Sequence, residues 1–467
     1  MSLPAFKDHG HNSAARVAFV AHNFPPLGGG GTPRSVKFVR FLPDYGWQPI
    51  VFTGGKETFV ARREFVRDDS TMAEFRDNPP CVVRISESFS PFIRILKALP
   101  CQALVWAAAY PWLWDENRSW SRRTAKAVIE HHRREPFDVI YVSAPPFASL
   151  EIGSLVSRAT GLPFVADMRD LWTTESHFRY PTSWHYGWTA RLERRLLSSA
   201  SHIIANTPGA AEVLRKVLNT APGERISVIP NGFDPSEISD SRPQKIGDGR
   251  SRITFLHAGT LYEEETIRSR LGHYYPLPLR NDARSVVPMA RALVAIRNTN
   301  PKLADRIQVR LLGYAPQSLR DAIDRLGMSD RFTFDGVVPR NTAMTAMQEA
   351  DALVVLQFAF EDTNRPVPFI PGKVYEYLPT GKPILAPVPP GDLRNLLAQV
   401  PQAYSCDFTD TAATARAIVS IVNDIDAGKV RFSREAIEPY NRLEHVRQLA
   451  AVLDRAMSRG RCKSSGD

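Results

Sequence analysis

Residues 366–386 read Pro366-Val-Pro-Phe-Ile-Pro-Gly372-Lys373-Val-Tyr-Glu376-Tyr-Leu-Pro-Thr-Gly381-Lys-Pro383-Ile-Leu-Ala386. Pro371 and Gly372 break the preceding chain, a short helix opens after them, Gly381 stops it, and Pro383 to Ala386 forms the next strand. A helix start presents unpaired N–H groups and a partial positive charge, and Lys373 adds a full charge to it. Glu376, one turn on, is placed to accept hydrogen bonds from a ribose. Strand, loop and helix in this order make half of a mononucleotide-binding unit.

The same grammar runs outward through the chain. Residues 16–21, 50–53, 81–85, 139–142, 163–166 and 202–205 read as strands, with helical patterns between them, including 35–42. A second series follows at 253–257, 307–312, 331–334, 352–356 and 383–386. Strands that alternate with helices predict parallel sheets. At 467 residues the chain exceeds what one hydrophobic core supports, which predicts two domains. Residues 235–252, polar and holding Pro235, Pro243, Gly247 and Gly249, read as the linker between domains 1–234 and 253–435. The fold class expected is α/β, two Rossmann-like domains facing each other across a deep cleft. A helical pattern spans 442–457 and a polar tail ends the chain.

Ligands of such folds sit at strand carboxyl ends. His22 ends the first strand, and the run Pro25-Pro26-Leu27-Gly28-Gly29-Gly30-Gly31 after it lets the backbone approach a phosphate or sugar closely. It lacks the Gly-Lys-Ser/Thr of a phosphate-binding P-loop and the spaced glycines of a dinucleotide site. Asp167-Met168-Arg169-Asp170-Leu171-Trp172 ends a later strand of the first half. Pro230-Asn231-Gly232-Phe233-Asp234 closes that half, where Asn-Gly is also an ordinary turn. His257-Ala258-Gly259 ends the first strand of the second half.

These segments together resemble the retaining family 4 glycosyltransferases of the GT-B fold, and the resemblance covers nearly the whole chain. Several consequences follow from it as expectations. Glu376 and Lys373 bind the donor's nucleotide, Gly259 approaches its diphosphate, and Gly29 and Gly30 lie in a loop that touches both substrates. Arg169 or Asp170 contacts the transferred sugar or the acceptor, or else the two only fix their loop. Trp172 and His22 are candidate acceptor contacts, unless His22 only caps the sheet. The family's two basic residues that neutralise the leaving diphosphate match Arg280 and Arg284, with Arg268 and Arg270 as rivals inside a lengthened segment, 263–279. An arginine holds phosphate oxygens through two hydrogen bonds at once, which replaces a metal ion in stabilising the developing charge. Many members carry a second glutamate eight residues before Glu376, where this chain has Pro368. The last helix, after residue 436, crosses back onto the first domain.

The activity expected is transfer of a hexose from a nucleotide-sugar donor to a glycan, lipid-linked or small-molecule acceptor in surface-polysaccharide synthesis, retaining and metal-independent, with no cofactor. Pro368 and Arg169 leave a non-catalytic sugar-nucleotide-binding protein as an alternative, and a sugar-nucleotide epimerase as a weaker one. No His-Glu-x-x-His, acidic calcium-type cluster or Cys-x-x-Cys occurs, so no metal site is expected. Four separated cysteines and an N-terminus without an apolar core suit a reducing cytoplasm. A net charge of +10 favours anionic partners, and without a nucleic-acid reader motif nucleic acid is not among them. Residues 92–114, rich in Ile, Leu and Trp but broken by Arg94, Lys97, Pro100 and Pro111, are too interrupted to span a membrane. They pack on the first domain or lie at the inner face of the membrane.

Overall fold

The structure, a computed structural model, describes residues 14–27, 31–55, 74–76, 78–86, 110, 114–174, 178–221, 225–237, 252–262, 266–267, 274 and 276–464. Strands β1 (Ala15–Ala21), β2 (Trp47–Gly54), β3 (Cys81–Ile85), β4 (Val139–Ala144), β5 (Phe164–Met168), β6 (His202–Ala205) and β7 (Ile226–Val228) form one parallel sheet in the order β3-β2-β1-β4-β5-β6-β7. Both faces of this sheet are covered, which is why β1 and β4 read as unbroken apolar runs rather than alternating ones. Along β1, Ala18 and Val20 enter one core with helices 118–134, 149–160, 183–198 and 208–218. Val17, Phe19 and Ala21 enter the other core, with the helix Thr32–Phe41 and with Val446, Leu449 and Leu453 of the C-terminal helix Arg442–Ser464.

The second sheet, also parallel, contains β8 (Ile253–Ala258), β11 (Ile307–Leu312), β12 (Phe332–Gly336), β13 (Ala352–Val354), β15 (Ile384–Pro387) and β16 (Ala403–Cys406), in the order β12-β11-β8-β13-β15-β16. A small antiparallel sheet is inserted beside it, β9 (Thr266–Ile267), β10 (Leu279–Arg280) and β14 (Ala359–Phe360). The sequence reading missed these three strands because two residues carry no periodicity, and missed β7 and β16 because both are edge strands of only three and four residues. Gly29, Gly30, Arg268, Arg270, most of the linker (238–251) and most of 92–114 lie outside the described residues.

The chain leaves the first domain through Pro230 and Asn231, and the C-terminal segment returns beside this exit. Phe233 donates to the Tyr440 carbonyl at 3.0 Å, and Arg442 donates back to Phe233 at 3.1 Å. Only glycine suits position 232, since a Cβ there would lie 2.2 Å from the Tyr440 oxygen. Trp47 on β2 donates its indole N–H to Asp454 at 3.0 Å, anchoring the last helix to the first domain.

The two domains touch at further points. The backbones of Tyr180 and Tyr274 exchange hydrogen bonds of 2.9 and 2.6 Å, an antiparallel bridge from the first domain to the inserted segment. Gly209 at the start of helix 208–218 donates to the Asp392 carboxylate at 2.8 Å, and the Thr207 hydroxyl donates to the Pro368 carbonyl at 3.1 Å.

Candidate functional site

Each parallel sheet reverses its strand order once, and the crevice at such a reversal is where open α/β sheets take ligands. In the first domain the reversal lies between β1 and β4. A cavity of about 400 Å³ opens there, lined by His22, Asn23, Gly31, Pro145, Arg169, Asp170, Asn206 and Asn231, and by Phe369, Ile370 and Gly372 of the second domain. His22 is buried edge-on against Trp120, with its Nδ1 2.8 Å from the Asn23 side-chain oxygen. Arg169 begins just past β5. Its guanidinium donates to the Pro145 carbonyl and lies in the space that Gly31 leaves empty; a Cβ on residue 31 would fall 1.2 Å from its Nη1. Asn206, absent from the sequence reading, donates to the Arg169 carbonyl and shares the cavity wall.

Asp167, first residue of the motif that holds Arg169, points elsewhere. Its carboxylate is fully buried and takes a two-pronged bond from Arg34, at 2.9 and 3.0 Å, and a third bond from the Tyr141 hydroxyl. Arg34 also donates to the carbonyls of Ile229 and Pro230 at 2.9 and 2.8 Å, tying the first helix, β5 and the interdomain exit together. Burial and the Asp167 charge, against an opposing pull from Arg34, leave the Tyr141 phenol far above its ordinary value, so its proton stays in place. Trp172 does not line the cavity: it is buried and stacked face to face on Phe147, ring centres 5.0 Å apart. A large aromatic ring just past a strand end here fills the core instead of facing ligand.

In the second domain the reversal lies between β8 and β13. Gly259, just past β8, has φ +145°, and a Cβ on it would fall 2.1 Å from Lys373 Nζ, so the glycine is what lets Lys373 reach the strand end. Lys373 Nζ lies 3.2 Å from Nε2 of His257, the penultimate residue of β8. Burial first, then the Arg284 guanidinium, push the Lys373 ammonium down to about 7, against an opposing pull from Glu376. Arg284 lies over the rings of Tyr262 and Phe358, which follow β8 and β13. Lys373, Arg284 and Gly259 therefore converge. Arg280 does not join them: it belongs to β10, pairs with Asp282 and lies over the Phe408 ring past β16. The helix that carries Lys373, Gly372–Tyr377, is only six residues long, so the positive charge at this point is mostly the lysine's own. Glu376 is held at 2.9 Å by Arg340, at the start of helix Arg340–Glu349. Arg340 follows no sequence signal, whereas His257, a histidine near the end of a mainly apolar strand, is present in the sequence reading without a role. Pro368, in place of the second glutamate, serves the interdomain contact with Thr207 described above.

The model of Glycosyltransferase Family 4 matches residues 28–237. A 2-deoxystreptamine N-acetyl-D-glucosaminyltransferase from Streptomyces fradiae is 24% identical over 323 residues, covering 66% of this chain and 68% of its own. Among solved structures, a glycosyltransferase from Rickettsia africae superposes with a TM-score of 0.60 at 12% identity, over 96% of this chain and 99% of that one. WaaG, a glycosyltransferase involved in lipopolysaccharide biosynthesis, superposes with a TM-score of 0.54 at 12% identity, over 94% and 99%.

Proposed function

We propose that the chain, whose residues 28–237 match Glycosyltransferase Family 4 and whose fold is that of GT-B enzymes, is a family 4 glycosyltransferase that takes a nucleotide-sugar donor in its second domain and a glycan or lipid-linked acceptor in its first. The observation that carries the donor assignment is the convergence of Lys373, Arg284 and Gly259 at one strand reversal. Two cationic side chains beside a glycine that exposes its backbone form a receptor for a diphosphate, whose negative charge grows as the sugar leaves. That pair supplies charge stabilisation without a metal ion, which supports a metal-independent reaction needing no cofactor. Glu376 would accept hydrogen bonds from the ribose after release from Arg340. The cavity around Arg169, Asp170 and His22 would hold the transferred sugar and the acceptor hydroxyl. Retention of anomeric configuration, with the leaving phosphate taking the acceptor's proton, is the family property we carry to this chain.

Thermal melting tests the donor assignment. A nucleoside diphosphate at a hundredfold excess over its Kd stabilises the folded state by about 2.7 kcal/mol, so one of UDP, GDP, ADP or dTDP should raise the melting temperature by several degrees. Glu376→Ala removes a charged hydrogen-bond acceptor worth about 1.5–3 kcal/mol and should cut that nucleotide's affinity roughly 10- to 100-fold. No shift with any nucleotide would count against the donor site, and an unchanged shift in Glu376→Ala would move the ribose elsewhere.

No helix among the described residues is long and apolar enough to cross a membrane. We propose a peripheral position at the cytoplasmic face. A groove of about 300 Å³ between helices 149–160 and 183–198 supports it, with Trp114, Trp188 and Leu192 as apolar lining, Arg158 and Arg195 as cationic lining, and Arg118 paired with Glu151 at 3.3 Å. Basic side chains near an anionic bilayer contribute about 1 kcal/mol each. The protein should sediment with phosphatidylglycerol vesicles but not with phosphatidylcholine ones, and Arg158→Glu with Arg195→Glu should weaken sedimentation tenfold or more. Equal sedimentation with both lipids would end this proposal.

A further inference from the structure

The hydrogen bonds around His257 fix which of its ring nitrogens carries the proton. Nδ1 lies 2.9 Å from the Val354 carbonyl, which can only accept, so Nδ1 holds the hydrogen and Nε2 presents its lone pair. That lone pair faces Lys373 Nζ at 3.2 Å. The imidazole is buried and pushed well below its ordinary value, by burial first and by the Lys373 charge second, which keeps it neutral. His257 is therefore an acceptor for Lys373 at any ordinary pH.

The lysine has little else to compensate its charge. Among the described residues no carboxylate lies within ion-pair distance of Nζ; Glu376, one turn along the same helix, is held by Arg340 from helix 340–349. Arg284, on the turn Asp282–Arg284, adds a like charge, and the neighbouring Tyr377 hydroxyl accepts from the Ala258 N–H. A partly buried, desolvated ammonium with one neutral acceptor and a like-charged neighbour sheds its proton readily.

We infer that His257 is a positioning residue that holds Lys373 at the strand end through a fixed lone pair, and that the empty site is completed by a proton from solvent, taken onto Nζ when the donor's diphosphate arrives. This rests on the donor reading above. The balance is simple: neutral Nζ and a solvent proton give the ammonium, whose N–H groups then serve both His257 and a phosphate oxygen. With the free ammonium near 7, the sign follows. Below that pH Lys373 is already protonated and binding moves no proton there. Above it the proton must be collected, so affinity falls as pH rises, by up to roughly tenfold per unit until the lysine's value in the complex is reached.

Isothermal titration near pH 8.5, in two buffers of different ionisation enthalpy, counts the protons taken up with UDP, GDP, ADP or dTDP. These nucleotides and the His257 imidazole are then fully deprotonated. We expect close to one proton for the wild type and close to none for Lys373→Arg, which keeps its charge at every pH. His257→Phe should weaken binding about tenfold and move the affinity profile to lower pH by about one unit. His257→Gln, whose side-chain oxygen reaches the place of Nε2, should restore most of both. Melting temperatures of the two variants separate a folding defect from this effect, since a merely structural histidine would not move the pH profile. Binding with no proton uptake in the wild type, or an unmoved profile in His257→Phe, overturns the inference and leaves the donor reading standing. Failure of every nucleotide to bind overturns the donor reading itself.

Discussion

Replacing Lys373 with methionine is expected to slow sugar transfer by roughly two to three orders of magnitude, the usual loss when one preorganised charge-stabilising donor is removed, and to leave the fold as stable as before or more so. The two halves of that expectation have one cause. Lys373 is partly buried with one neutral acceptor, and its charge is disfavoured in the empty protein. A methionine of similar length fills the same volume without the desolvation cost, and exchanging buried charge for packed apolar atoms is often neutral or stabilising. The same charge becomes favourable only when a diphosphate faces it, most of all as the sugar leaves. Steady-state transfer or slow donor hydrolysis gives the rate, and thermal melting gives the stability. A rate within a factor of a few of wild type would remove Lys373 from the diphosphate site. A large fall in melting temperature would mean that it holds the fold together instead.

The opposite pattern is expected at Asp167. Asp167→Ala leaves the Arg34 guanidinium buried without its carboxylate, and breaking a buried pair from one side costs about 3–5 kcal/mol. Tyr141 loses its acceptor at the same time. The loss reaches beyond the first domain, because Arg34 also holds the Ile229 and Pro230 carbonyls at the interdomain exit. Chemical denaturation should show the unfolding free energy falling by that amount, with a correspondingly lower midpoint. In the double variant Arg34→Met with Asp167→Leu, no charge is left unpaired, and much of the stability should return. If Asp167→Ala unfolds at the wild-type midpoint, the pair does not hold the first domain as described.

The contrast shows where the sequence was readable. Long parallel strands were, because burial on both faces leaves an unbroken apolar run, as in β1 and β4. The segment 366–386 was too, since Pro371, Gly372 and Gly381 bound the short helix that the structure places at Gly372–Tyr377. The motif Asp167 to Trp172 was harder, because three neighbours go three ways: Asp167 inward to Arg34, Arg169 to the cavity, Trp172 into an aromatic stack. Arg34 is 133 residues from Asp167, and no local pattern announces such a pairing. Arg280 and Arg284 look alike as letters. They part because β10 joins an antiparallel sheet of two-residue strands, which turns Arg280 toward Phe408 and leaves Arg284 beside Lys373.

The bridge between Tyr180 and Tyr274 also makes the molecule its own stopwatch. Most backbone amides in a parallel α/β protein are donated within their own domain, so deuterium reaches them only when that domain loosens. The amides of Tyr180, Tyr274 and Gly209 are donated across the cleft instead. Their exchange is tied to the parting of two intact halves, and its rate in the presence of nucleotide reads out how often the cleft opens while both sheets stay folded.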